Sequence, residues 1–439
     1  MNYILENIIL PLGDFFNKSR YVKELRYWRK LDGFSEEELE EHQKNNLKKL
    51  LKFSKENIKS YKKILLKGEN PFKWIQDFPI LTKEELKNNS KNYLVNSNKE
   101  NLIKYSSSGS SGFQASVYMN KKEQSYIRAI LTHWWEWSGY RIGNPIAQTG
   151  ITPKRGFLKT LKDVLFNTIY INAFTHSKEQ LENLCNKLKK KNNKYYMAGY
   201  ASSLNLIAEY ALENKIDIHL KSVISFGDKL FSHYQKNIKK AFKTKVYDTY
   251  GCNEGFLIAS QKDLEYKYIM SPHVYLEILD DKNKPVKDGE LGHVVVTRLD
   301  CFTMPLIRYK IGDLAIKLPK EKYPEKREFN YPLLQKIVGR ETDIVVLPND
   351  KKMVVHSFTG IFEYIPEIKQ FQVIQNKKNA ITIKYIKSKS FTDDVLLKVT
   401  KELQEYIREP KFSIFYEEVN FIAPSKSGKP QMIIGKLKK

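Results

Sequence analysis

Five short segments carry the residues that could do chemistry. The first is Ser106-Ser107-Ser108-Gly109-Ser110-Ser111-Gly112. Glycines let a backbone approach an anion closely, and hydroxyls can donate hydrogen bonds to phosphate oxygens. No lysine follows the last glycine, so this is not a Walker loop. Taken alone, such a run is more often a solvated loop than a binding one. The second is Tyr247-Asp248-Thr249-Tyr250-Gly251-Cys252-Asn253-Glu254. An aromatic ring at a strand end could lie beside a base, and a carboxylate three residues past the glycine could stand near a metal. The plainer reading is a strand-to-loop turn with an exposed glutamate. The third is Met304-Pro305-Leu306-Ile307-Arg308-Tyr309-Lys310-Ile311-Gly312-Asp313, where a carboxylate offers two acceptor oxygens to a ribose diol. Its plain alternative is a β-turn. The fourth is Gly339-Arg340-Glu341-Thr342-Asp343 and the fifth Ser427-Gly428-Lys429. A lysine beside a glycine can reach a phosphate as a point charge, or can be one more lysine in a lysine-rich tail.

These segments need elements to position them. Residues 1–100 read as helical, with Leu39, Leu47, Leu50, Leu51 and Phe53 at helical spacing within a helix expected over 35–63. Ser35 and Glu38 form a capping-box pattern at its start. Beyond residue 100, strands expected at 195–197, 222–225 and 245–247 alternate with helices at 179–190, 202–214 and 231–242, which predicts a largely parallel sheet. Strands at 274–279 and 292–298 flank a turn-rich stretch and predict antiparallel pairing. The last hundred residues read as a small α+β unit: a hairpin at 369–375 and 380–386, a helix at 393–407 and a last strand at 413–421. The boundary is placed at Gly339-Arg340. Trp134, Trp135 and Trp137 sit at helical spacing and read as core before pocket.

Bulk properties bound the function. A chain of 439 residues exceeds one ordinary core, so two or three domains are expected. Three scattered cysteines, Cys185, Cys252 and Cys301, exclude a disulfide framework and predict a reducing, cytoplasmic setting. The net charge of +25 would suit an anionic partner. No nucleic-acid-binding signature accompanies it, so specific nucleic-acid binding is not expected. The apolar stretch 4–16 is too short to span a bilayer and lacks a basic start. It predicts a helix docked on the body, with peripheral membrane contact as the alternative.

In order and spacing, the five segments resemble the motifs of the ANL superfamily of adenylate-forming enzymes. The chain looks most like the phenylacetate–CoA ligase branch and its capsular-polysaccharide-associated, CapK-like members. The resemblance covers nearly the whole chain. It implies an α/β fold: a large N-terminal adenylate-forming domain (1–338) with parallel-rich sheets and helices, and a small α+β domain (339–439) that rotates and carries the lysine loop. It implies an ATP- and Mg²⁺-dependent ligase that makes an acyl-adenylate. The acyl group then passes to coenzyme A, or to an amine or hydroxyl on a sugar or carrier, in surface polysaccharide synthesis. Ser107, Ser108, Gly109, Ser110, Ser111 and Gly112 would hold the β- and γ-phosphates. Gly227 and Asp228 would contact adenine, and Tyr250 would stack on it. Gly251 and Asn253 belong to the same nucleotide-binding segment. Glu254 would ligate Mg²⁺, Asp313 would bind the ribose hydroxyls with Arg340 assisting, and Lys429 would contact the α-phosphate and the attacking carboxylate. Three departures stand out. Phe113-Gln114-Ala115 replace the usual proline and lysine after the loop, Asn253 replaces a threonine or serine, and Thr342 stands where a hinge aspartate is common. Cys252, His273 and Cys301 form no recognisable zinc set, so no zinc is expected. Two readings stay open beside the ligase: a catalytically weak nucleotide-binding protein of the same fold, and a basic nucleic-acid or membrane-surface binder.

Overall fold

The protein was analysed as a computed structural model, which describes residues 2–95, 100–106, 115–150, 156–173, 177–340, 344–349, 352–362, 365, 367–423 and 431–435. The phosphate-loop residues Ser107–Gly112, the hinge position Thr342 and the lysine Lys429 therefore lie outside the described residues.

Residues 2–93 are mostly helical, as their spacing predicts. The helix Glu36–Asn57 starts at Ser35, whose hydroxyl accepts from the Glu38 N–H while the Glu38 carboxylate accepts from the Ser35 N–H. It ends at Asn57, earlier than the expected 63, and a 3₁₀ turn follows at Lys59–Tyr61. Leu47, Leu50 and Leu51 are fully buried against the sheet.

Eleven strands form one sheet whose character changes along its width. Thr168–Asn172, Ile146–Gly150, Tyr196–Tyr200, Ser222–Phe226 and the first half of Val246–Cys252 run parallel. Parallel neighbours need crossovers, and the helices Phe157–Leu165, Lys178–Lys190, Ala201–Glu213 and Ser232–Phe242 supply them. From Thr249 onward Val246–Cys252 pairs antiparallel with Phe256–Ser260. The sheet continues through Lys267–Ile269, Leu333–Arg340, Tyr309–Lys317, Leu291–Arg298 and Val274–Leu279, all antiparallel. The alternation of strand and helix thus predicted the parallel half, and the turn-rich 280–289 the antiparallel edge.

Gly339 and Arg340 end the strand Leu333–Arg340, with Arg340 opposite Asp313. Beyond them, the hairpin Ile368–Lys377 and Ala380–Lys387 is flanked by Ser413–Glu418 and Ile433–Gly435, both parallel to their neighbours. The strand at 413 is therefore not the last: Ile433–Gly435 follows it, too short to register as a strand pattern. Helix Asp394–Ile407 covers this sheet with Val399, Leu403 and Ile407. Phe231 of the large domain is buried in the same cluster, and Lys229 Nζ donates to the Val338 carbonyl at 3.0 Å.

Candidate active site

Three of the expected site residues, Tyr250, Glu254 and Asp313, meet where the sheet turns from parallel to antiparallel. The Tyr250 hydroxyl donates to Asp313 Oδ2 at 2.9 Å. The Tyr309 hydroxyl donates to Glu254 Oε1 at 2.9 Å. The two bonds cross. Each tyrosine stands four residues before one acid and reaches the acid that follows the other tyrosine. In sheet order, the strand holding Asp313 is four intervals from the strand holding Tyr250. A flat sheet would separate them by about 19 Å, beyond the reach of both side chains. The antiparallel half must therefore curl until these strands face each other.

The backbone around the pair is built for this. Gly312, just before Asp313, has φ +85°, a conformation that favours glycine. Arg308, just before Tyr309, has φ +51° without being glycine. It is pinned there: its N–H donates to Thr297 Oγ1, and its guanidinium reaches Glu277 at 3.0 Å and 3.2 Å and the carbonyls of Gln76 and Phe78. Leu81, from the helical region, exchanges backbone hydrogen bonds with Arg308 and Lys310. Tyr309 is thus aimed from both sides, and its ring stacks on Phe256.

Electrostatically the site is acidic and screened from water. Glu254 is 3% exposed and Tyr250 8%, so the plainer alternative of an exposed glutamate in a strand-to-loop turn does not hold. Burial raises the Tyr250 hydroxyl well above its ordinary value, and the charge of Asp313 adds to it. Tyr309 is raised by burial and then by Glu254. The Cys252 thiol is pushed up by burial and by the charge of Glu254. The two tyrosines stay protonated and donate to the carboxylates. Arg340 Nε stands 3.9 Å from Asp313 Oδ1, close enough for its charge to be felt. Gly251 allows a close approach, since a Cβ there would meet the Phe256 carbonyl at 2.4 Å.

The other expected adenine contact has a different neighbourhood. The Asp228 carboxylate accepts from the N–H groups of Ala201, at 2.5 Å, and Ser202, at 3.2 Å. It caps the helix Ala201–Glu213 from 27 residues away. Gly227 has φ +82° and lies against the Tyr200 ring, where a Cβ would come within 2.5 Å. Asn253 lies in the turn after Val246–Cys252, where Gly255 N–H closes onto the Cys252 carbonyl.

Tyr309 and Cys252, the partners of Glu254, were not singled out as site residues from the sequence. One signal was available: Tyr250-x-x-x-Glu254 and Tyr309-x-x-x-Asp313 share the same spacing. Of the tryptophans, Trp134 and Trp137 lie in the core with Leu5, Trp28 and Tyr331. Trp135 is buried in a smaller cluster with Tyr140, Tyr196 and Ile224. His273 is fully buried, hydrogen-bonded to Asp300 and the Leu257 N–H, and Cys301 lies on the Met304 carbonyl.

Comparison with known proteins follows this geometry. Residues 346–436 match the CapK C-terminal domain. Protein CapK of Staphylococcus aureus is 25% identical over 99% of this chain and 98% of its own length. This chain is similar to CapK over nearly its whole length. Phenylacetate–coenzyme A ligase of Pseudomonas putida is 28% identical over 35% of this chain and 34% of its own. Among solved structures, a 2-hydroxyisobutyryl-CoA ligase in its post-adenylation state, in complex with R3-HIB-AMP, superimposes with a TM-score of 0.71 at 16% identity, over 93% of this chain and 91% of that one. The same ligase in its thioesterification state gives 0.56 at 16% identity, over 93% and 92%. The chain thus has the fold of these CoA ligases, a large α/β part followed by a small C-terminal one, as its motifs implied.

Proposed function

We propose that this chain is an ATP-dependent ligase that activates a carboxylic acid as its acyl-adenylate and passes the acyl group to coenzyme A or to an amine or hydroxyl acceptor. The observation that carries the reading is the crossed pair Tyr250–Asp313 and Tyr309–Glu254. It holds two acids in fixed orientation where a curled sheet turns from parallel to antiparallel, on the segments that resemble nucleotide-binding motifs. The fold shared with ligases that hold acyl-adenylates supports it. The higher TM-score against the post-adenylation than the thioesterification state supports reading the present domain arrangement as the former. A place in surface polysaccharide synthesis is part of the same proposal and rests on the resemblance of the motifs to CapK-like members.

A carboxylate is a poor electrophile. Its attack on the α-phosphorus, with pyrophosphate leaving, makes a mixed anhydride with AMP as a good leaving group. In this scheme Asp313 accepts the ribose hydroxyls. Its oxygens together offer about four acceptor directions, so the Tyr250 bond does not exhaust them. Arg340 balances its charge. The Tyr250 ring stacks on adenine, and Gly227, Asp228, Gly251 and Asn253 line the same nucleotide. Because Asp228 is engaged at a helix start, the contact beside it comes from backbone. The hydroxyls and N–H groups of 107–112 hold the β- and γ-phosphates. Lys429 brings a charge to the α-phosphate and the attacking oxygen.

Mg²⁺ suits the donor set. Among the described residues no group of three His, Cys, Asp or Glu could cage a metal. A single carboxylate that leaves the rest of the shell to phosphate oxygens and water is the usual arrangement for this ion, and Glu254 is that carboxylate. When bound, the ion would neutralise charge on the phosphate oxygens. Tyr309 orients Glu254 by its hydrogen bond. Positioning and electrostatics then supply most of the rate.

The test is a hydroxylamine-trapping screen of carboxylic acids with ATP and Mg²⁺, on the full chain and on Lys429→Ala. One class of acid should give hydroxamate with the full chain. Lys429→Ala should bind ATP and trap none. If no acid is trapped while ATP binds, the chain is a nucleotide-binding protein and the ligase reading fails.

A further inference from the structure

The first helix is apolar on two opposite faces. Asn2–Asn17 is helical throughout, with a π-turn over Leu5–Ile9 between α segments. One face docks on the body. Leu5 is 1% exposed in the cluster of Trp28, Trp134 and Ile142, and Ile9 and Leu10 pack beside it. Both acids of the helix are drawn inward: Glu6 pairs with Arg29, and Asp14 accepts from Ser19 Oγ and the Val22 N–H. The opposite face carries Tyr3, Ile4, Ile8, Leu12, Phe15 and Phe16, each more than half exposed, with both phenylalanines at 78%. These six are among seventeen exposed large apolar side chains on all the described residues, so the surface apolarity is concentrated here. The spacing 4, 8, 12 and 15–16 is that of one face. A four-residue step overshoots an α turn and falls short of a π turn, so mixing the two keeps the row straight.

We propose that this face docks the protein on an anionic lipid surface, with the helix lying in the plane of the interface. A helix apolar on two faces calls for an apolar surrounding on both, and here the body covers only one. No helix among the described residues is long and apolar enough to cross a membrane, so the contact is peripheral. Charge decides the occupant. With Glu6 and Asp14 turned inward, exposed Lys18, Lys23 and Arg26 border the helix, and Arg26 donates to Asn7 on it. A second such piece lies close by. Helix Phe157–Leu165 exposes Leu161, Val164 and Leu165 beside Lys159 and Lys162, and the next residue, Phe166, packs on the cluster that holds Leu5. Aromatic and aliphatic side chains would enter the headgroup boundary while the cations meet anionic headgroups. A second copy is the weaker occupant, because each copy brings a net charge of +25. This proposal is independent of the enzyme reading.

Vesicle flotation of the full chain tests it. The protein should float with phosphatidylcholine vesicles that contain phosphatidylglycerol, and far less with phosphatidylcholine alone. High salt should weaken the binding. The double variant Phe15→Gln/Phe16→Gln should lower the bound fraction roughly tenfold at an unchanged thermal midpoint, because both rings are exposed. On the unaltered protein, the anionic vesicles should slow amide exchange across 2–17. The proposal is overturned by no flotation, by equal flotation of the variant, by unchanged exchange in the helix, or by a vesicle-free dimer that the double variant dissolves.

Discussion

Two sets of carboxylates, Asp300 with Glu123 and Glu254 with Asp313, sit around the antiparallel half of the sheet and are treated in opposite ways. Asp300 accepts from Arg298 Nε at 2.6 Å and from His273 Nδ1 at 2.5 Å, while Arg298 Nη2 donates to the Glu123 carbonyl. The Glu123 side chain accepts three backbone N–H groups, from Asn120, Phe302 and Thr303. Burial opposes the charge on Asp300, but His273 and Arg298 outweigh it and hold its carboxyl below the usual range. His273 takes the Leu257 N–H on Nε2, so its proton sits on Nδ1 toward Asp300. This set is matched by donors and by a buried cation. Glu254 is 3% exposed, and among the described residues the hydrogen bond that holds it comes from a neutral donor, the Tyr309 hydroxyl. A buried charge without a cation is costly. Structure alone would select the first arrangement. The second makes sense where a bound cation completes the site.

That contrast can be broken by mutation. Arg298→Met should be the most damaging, because it leaves Asp300 buried without its cation; a loss of about 3–5 kcal/mol is expected by chemical denaturation. Tyr309→Phe should cost the fold only about 1–2 kcal/mol, yet lower acid-dependent pyrophosphate release at least tenfold, since Glu254 loses its orienting donor. If Tyr309→Phe destabilises as much as Arg298→Met and leaves turnover intact, the two sets do not differ in kind.

The smallest expected effect lies in a third network. Asp32 accepts from Trp137 and Tyr331 and sits 3.0 Å from His133. His133 Nδ1 stands 3.7 Å from Glu136, beyond hydrogen-bond distance. Burial lowers the His133 value, but Asp32, helped by the Glu136 charge, overrides it and raises it above the usual 6.5. The stabilisation is then complete below about 6.5 and fades as pH rises through the folded value. Denaturation midpoints should fall across that window in the native chain, and His133→Gln should flatten the slope.

What could be read from the sequence was local. The Ser35–Glu38 box, the strand–helix alternation from residue 178 onward and the strand pairs either side of 280–289 all follow from neighbouring residues. The ordered motifs also pointed to the fold and to the acids Glu254 and Asp313. Long-range pairings were hidden. Asp228 caps a helix that starts 27 residues earlier, so no local cap pattern announces it. The crossed tyrosines depend on curling of the sheet, which strand periodicity does not encode. The outward apolar face of the first helix was obscured because Glu6, Pro11 and Asp14 interrupt the apolar run in the sequence. In the fold Glu6 and Asp14 turn inward, and Pro11 falls at the start of the second α segment.

The central claim is that Glu254 is a ligand-completed acid in a carboxylate-activating site. ATP–pyrophosphate exchange with an accepted acid, titrated with Mg²⁺, tests it most directly by comparing the native chain with Glu254→Gln. The account predicts acid-dependent exchange in the native chain and, in the variant, a fall of at least tenfold together with a higher Mg²⁺ requirement, at near-native stability. An unchanged exchange rate and metal titration in Glu254→Gln would contradict it.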